Sequence, residues 1–162
     1  MSFRYSKLSP APKRAGYNRI GAASIGNGMT VNTAYLNSFW IPNLKTYRYI
    51  NYNVQIQAGG LIQFAVYNSL FQRLAVSSQF AFPAAGKQQV DLGAFALPAG
   101  NYFLAVSTDT AGNSLWGVRD LTSTLVLNRI CQRAAAGFPM PNPIVITLSS
   151  GDFAPNLVLE AA

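Results

Sequence analysis

The feature that most constrains this chain is a stretch of strict alternation. Between Thr46 and Gln57 the apolar residues Ile50, Tyr52, Val54 and Ile56 interleave with the amides Asn51, Asn53, Gln55 and Gln57. A period of two turns successive side chains to opposite faces of an extended strand, so one face is buried and one is wet. Ala58-Gly59-Gly60 then supplies a tight-turn signal, and Leu61 to Tyr67 follows with Ile62, Phe64 and Val66 on the inner face. The pair reads as a hairpin.

The same grammar continues downstream. Phe71 to Ser77 is a short strand, Phe80 to Phe82 extends the sheet, and Pro83-Ala84-Ala85-Gly86 stops it. Gln88 to Leu92 begins again, Leu97 to Asn101 turns, and Tyr102, Leu104 and Val106 face one way along the strand from Tyr102 to Thr108. Asp109 to Asn113 closes that strand, and Trp116 to Val118, Thr124 to Ile130, Ile144 to Leu148 and Leu157 to Leu159 complete the series. Short strands at even spacing predict an all-β fold, an antiparallel β-sandwich of jelly-roll-like form. Only Ile130 to Ala136 carries a plausible helix, and Pro139, Pro141 and Pro143 forbid its continuation.

Residues 1–28 are different. They hold Pro10, Pro12, five bases and Gly16, Gly21, Gly26 and Gly28, with no periodicity. Ser9-Pro10-Ala11-Pro12 favours an extended backbone, and Gly26-Asn27-Gly28 reads as a turn or hinge into the domain. The expected organisation is a basic extended N-terminal arm over 1–28 and a β-sandwich domain over 29–162. The 162 residues suit one domain with a core, not two.

Charge sharpens this division. The net charge is +7, and all five acids lie from Asp91 onward, so residues 1–90 carry nine bases and no acid. An acidic partner, either a protein surface or a phosphate backbone, is therefore expected at the N-terminal part. Arg4, Tyr5, Lys7, Lys13, Arg14, Tyr17 and Arg19 are the candidate contacts of the arm. Charged residues are only 10 % of the chain, well under the roughly 25 % of an ordinary domain, which points to a surface covered by neighbours and to a homo-oligomer.

The inventory for chemistry is thin. There is no histidine, which removes the usual general base and the commonest metal ligand, and of the only five carboxylates Asp109 and Asp152 sit in turn-like contexts. Asp109 with Asn113 offers too few anionic oxygens for a strong calcium site. The single Cys131 excludes an internal disulfide, and no dinucleotide or phosphate-loop pattern occurs. No enzyme activity, cofactor or metal is expected. The N-terminus lacks an apolar signal region and no stretch reaches membrane-spanning length, so the expected product is made in the cytoplasm and does not enter a membrane. Tyr47 and Tyr49 fall on the face opposite Ile50 and Tyr52, with Arg48 between them. These three form either an exposed ligand or subunit-contact strip, or packing against the second sheet or the arm.

Three stretches resemble the small β-sandwich domains of tailed-bacteriophage structural proteins, such as capsid decoration, head-fibre and tail-fibre components. They are Tyr52 to Asn68 with its central Gly59-Gly60, the turn-strand from Leu97 to Val106, and Phe138 to Pro143 with Ile144 to Leu148 and Pro155 to Leu159. The resemblance covers about residues 46–160. It implies a sandwich, commonly trimeric, that cements capsid subunits or presents a receptor-binding tip, and it supplies no catalytic residues. The expectation is a virion protein on the capsid surface, a decoration or cement protein whose arm lies on the major capsid protein or another virion protein. Nucleic acid is the less favoured partner. A fibre domain that binds a receptor or carbohydrate is the alternative.

Overall fold

Alternation this regular needs two sheets to bury its apolar faces, and the computed structural model contains two. It describes residues 14–16, 24–119, 131–147 and 153–162. The strands are β1 (Arg14–Gly16), β2 (Ser24–Gly28), β3 (Ala34–Ile41), β4 (Lys45–Ile56), β5 (Leu61–Asn68), β6 (Arg73–Val76), β7 (Phe80–Ala81), β8 (Gly86–Leu97), β9 (Gly100–Thr108), β10 (Ser114–Arg119), β11 (Cys131–Ala134), β12 (Phe153–Pro155) and β13 (Val158–Ala161). In the first sheet β2 pairs with β10, β10 with β4 and β4 with β8, while β12, β13 and β1 join along the same strands. In the second, the order is β11-β3-β9-β5-β6, with β7 also on β5. All pairings are antiparallel, so the expected β-sandwich is what the chain forms. The orders β2-β10-β4-β8 and β3-β9-β5-β6 are those of a jelly roll.

The jelly-roll order overturns the predicted hairpin. β4 and β5 do not pair; they lie in opposite sheets, and Ala58-Gly59-Gly60 carries the chain across the edge of the sandwich. The true partners of β4 are distant in sequence, with β8 matched from Lys45↔Leu97 to Val54↔Gly86. A glycine pair between two alternating strands has the same local chemistry in a hairpin and in a sheet-crossing corner. Gly59 and Gly60 sit at φ 97° and 74°, a backbone region open mainly to glycine.

The inner faces meet as the alternation predicts. Ile50, Tyr52 and Val54 of β4 pack with Ile62, Phe64 and Val66 of β5 and with Leu104 and Val106 of β9, all nearly or fully buried. The Tyr52 and Phe64 ring centroids lie 4.5 Å apart. Ile56 departs from the pattern because it sits at the exposed end of β4, 52 % accessible.

A second apolar layer covers the outside of the second sheet. Gln63, Ala65 and Tyr67 are buried on the outer face of β5, beneath a segment carrying Met140 and Ile144. The Tyr67 hydroxyl donates to the Pro141 carbonyl at 2.8 Å, and Met140 N–H donates to Gln63 Oε1 at 2.8 Å. Ile144 N–H bonds Phe71 O at 3.1 Å, so the segment is fastened without a ladder. The strand expected from Ile144 is therefore absent over residues 144–147, where the chain acts as a cover. The helix expected at Ile130 to Ala136 is likewise corrected: Cys131–Ala134 is a strand on Ala34–Asn37 of β3, because a free sheet edge outweighs the weak helix propensity of a short alanine-rich run. The strand expected at Thr124 to Ile130 lies outside the described residues.

Burial pushes the phenols of Tyr52 and Tyr67 up to about 12 from 10.0, the nearby Arg73 charge opposing the shift at Tyr67. Both hold their protons to higher pH in the folded chain than in the unfolded one. Their stabilisation is complete below pH 10 and is lost as pH rises toward 12. The unfolding free energy is expected to fall by on the order of 2 kcal/mol between about pH 9 and about pH 11. Urea titrations at both pH values measure this, and the Tyr52→Phe, Tyr67→Phe double variant is expected to lose most of the dependence. An unchanged slope in that variant would show that other groups are responsible.

Candidate functional site

The three-residue strip on β4 is split by the backbone. Along β13, Glu160 and Ala161 are consecutive, yet they pair with Tyr49 and Tyr47, so β4 carries one extra residue at Arg48. Opposite, Asp91 and Phe95 of β8 pair with the same two tyrosines across a longer excursion that includes Gly93 at φ 75°. A bulge of this kind inverts the side-chain parity that alternation assumes. Tyr47 is therefore 2 % exposed and packs in the core with Ile50, which corrects its placement on the opposite face. Tyr49 and Arg48 stay outside.

Arg48 and Asp91 form a two-pronged ion pair on that outer face. Arg48 Nε donates to both carboxylate oxygens at 3.0 Å and Nη2 donates to Oδ2 at 2.7 Å. The Asp91 carboxyl is held below its ordinary range by Arg48 first and by the Gly93 N–H second. The guanidinium also lies 5.2 Å from the Tyr49 ring centroid. Arg48 and Tyr49 thus form a bracing contact across the bulge, and both remain accessible on the outer face.

Of the arm candidates, Arg14 opens β1, whose backbone pairs with Val158 to Glu160. Arg4, Tyr5, Lys7, Lys13, Tyr17 and Arg19 lie outside the described residues. The predicted hinge Gly26-Asn27-Gly28 is instead part of β2, paired with Trp116, Leu115 and Ser114. Two pieces of the 1–28 stretch are therefore strands of the sandwich itself.

The turn residues Asp109 and Asn113, weighed as a cation site, have another task. Asn113 is fully buried; its Oδ1 accepts from Ala58 N–H at 2.7 Å and its Nδ2 donates to Gly59 O at 2.7 Å. Asp109 Oδ1 accepts from Leu61 N–H at 2.7 Å and from the Thr110 hydroxyl at 2.8 Å, and these two bonds, in that order, lower its pKa. Asp109 Oδ1 and Asn113 Oδ1 are thus engaged by N–H and O–H donors. Among the described residues, no cluster of three or more histidine, cysteine, aspartate or glutamate side chains is assembled.

The opposite end of the sandwich carries exposed apolar residues. Ile41, Trp40 and Phe39 pair with Gly100, Asn101 and Tyr102, and Asn68 pairs with Tyr102 from the other side, so the β3–β4 and β5–β6 turns share one end. There Trp40, Leu44 and Leu70 are 63, 71 and 73 % exposed. Alternation does not place these residues at one end, since the two turns are brought there by the pairing of β3 and β5 with β9. Neither a protein-family model nor a curated protein matches the chain.

Proposed function

We propose that this chain is a non-enzymatic structural subunit of a virus particle, a decoration protein that binds the assembled head through its basic N-terminal residues and an oligomeric sandwich. The observation that carries the reading is the set of exposed apolar residues Trp40, Leu44 and Leu70 at one end of the sandwich, on a chain with only 10 % charged residues. Three large apolar side chains grouped on one end lose solvent contact when a neighbouring subunit covers them. The jelly-roll strand order, an architecture used by viral capsid domains, supports the same reading. So does the base-only composition of residues 1–90.

The pairing of β1 and β2 decides how the arm is tested. Deleting residues 1–28 would strip two strands from the sheet, whereas deleting residues 1–12 removes Arg4, Tyr5 and Lys7 and leaves both strands. The shortened chain is expected to keep its melting temperature and to lose co-sedimentation with purified heads. A Trp40→Ser, Leu44→Ser variant is expected to stay folded and to run as a smaller species. Full head binding by the shortened chain would sink the arm's role, and an unchanged oligomer in the double variant would sink that of the apolar end.

A further inference from the structure

The wet face of β4 ends in a gap. Its edge away from β8 is paired with β10 at Val54 and Ile56 and with β13 from Asn51 back to Tyr47. Between these two partners, Tyr52 and Asn53 have a ladder partner only on the β8 side. The C-terminal chain crosses this gap at Asn156, whose N–H is held by the Trp116 carbonyl at 3.0 Å. A depression of about 320 Å³ opens there, lined by Asn51, Asn53, Gln88, Asn156, Lys87 and Val158 among others.

We propose that this depression binds a saccharide unit carrying a carboxylate. Four of its polar lining residues carry amides, which both donate and accept hydrogen bonds as ring hydroxyls do; Gln88 Nε2 already donates to Ala84 O, so Asn53 and Asn156 are the two open to a ligand. One acceptor in a lining residue is unpaired: Asn156 Oδ1 is buried and has no hydrogen-bonding group of the protein on it. A rotation of this amide toward the depression would let it accept a hydroxyl from a ligand there. Asn51, by contrast, is already engaged by Gln89 and Glu160 and serves as a fixed wall.

Lys87 is the only charged residue in the lining. Its ammonium offers an anionic group a partner, beside a Glu160 carboxylate that Asn51 Nδ2 already engages, while Val158 offers apolar surface to the C–H face of a ring. The volume lies at the lower end of the range of about 300–1,000 Å³ usual for ligand sites, which suits a small ring. The site does not depend on the assembly reading, because it is formed within a single chain and is measured with no particle present.

The test is a titration of the isotope-labelled full chain, followed by NMR, with oligosaccharides of galacturonate, glucuronate and sialic acid beside their neutral counterparts. Saturable shifts are expected at Asn53, Lys87, Asn156 and Val158 with at least one acidic sugar, and about tenfold weaker binding by its neutral counterpart. Lys87→Gln and Asn53→Ala, both on the sheet surface, are expected to keep the wild-type melting temperature and to weaken binding of that sugar by about the same factor. The proposal is overturned by an absence of saturable shifts across the panel, by shifts centred elsewhere, or by wild-type affinity in both variants. Equal affinity for acidic and neutral sugars would remove the assigned role of Lys87 and the charge selectivity with it.

Discussion

Replacing Asn113 by alanine is expected to lower the unfolding free energy by about 2–3 kcal/mol, since it empties a fully buried side-chain site and unpairs part-buried backbone groups at this corner. The amide holds both sides of the Ala58-Gly59 peptide step, accepting from Ala58 N–H and donating to Gly59 O, with further contacts to Thr108 Oγ1 at 3.2 Å and Thr110 O at 3.3 Å. Its own backbone carbonyl receives Met29 N–H at 2.7 Å, so the residue also sets where the chain enters β3. Asn113→Asp keeps the acceptor but replaces the donor by a second carboxylate oxygen facing the Gly59 and Thr110 carbonyls in a buried site, and is expected to cost at least as much at neutral pH. Gly60→Ala belongs to the same corner: an added Cβ would run into Thr110 Oγ1 and Asp109 Oδ1 at a position with φ +74°, so strain and collision act together. Equilibrium urea unfolding of the three variants measures the ordering. An Asn113→Ala protein within about 0.5 kcal/mol of wild type would show that solvent replaces the amide, and the corner would not be a structural clamp.

That corner also marks the limit of what the sequence discloses. Where packing has a simple period, the residues report it: Ile50, Tyr52 and Val54, then Ile62, Phe64 and Val66, then Leu104 and Val106 all point where alternation places them. Connectivity between sheets has no such period. Gly59-Gly60 reads as a hairpin because the two-residue signal is local, while the choice of β8 over β5 as the neighbour of β4 is made by residues some thirty to fifty positions away. Tyr47 fails for a related reason, since the extra residue at Arg48 is defined only by register against β13. The candidate site suffers most. Trp40 stands out as a large ring at a strand end, in a core or at an interface, but Leu44 and Leu70 are unremarkable, and Asn53, Lys87 and Asn156 are ordinary polar residues until the two halves of the sheet part around them.

Removing residues 157–162 is expected to abolish cooperative folding. β13 is an interior strand of the first sheet, with β1 on one side and β4 on the other, although it comes last in the chain. Leu157 and Leu159 are fully buried in the main core; truncating one buried leucine costs about 3–5 kcal/mol, and the loss of two approaches the whole stability of a typical domain. Asn51 would lose the Glu160 carboxylate, and the backbone groups of β4 from Tyr47 to Asn51 would face solvent along an edge that the bulge at Arg48 has already distorted. Near-ultraviolet dichroism and a calorimetric melt test this directly, with Leu159→Ala as a milder companion expected to melt cooperatively at a lower temperature. If the shortened chain keeps a cooperative transition within a few degrees of wild type, β13 is an appendage to the sandwich. The wedge between β4 and β10 that shapes the Asn53–Asn156 depression would then need another support. If both variants behave as expected, residues 157–162 hold together the two halves of the sheet on which that depression depends.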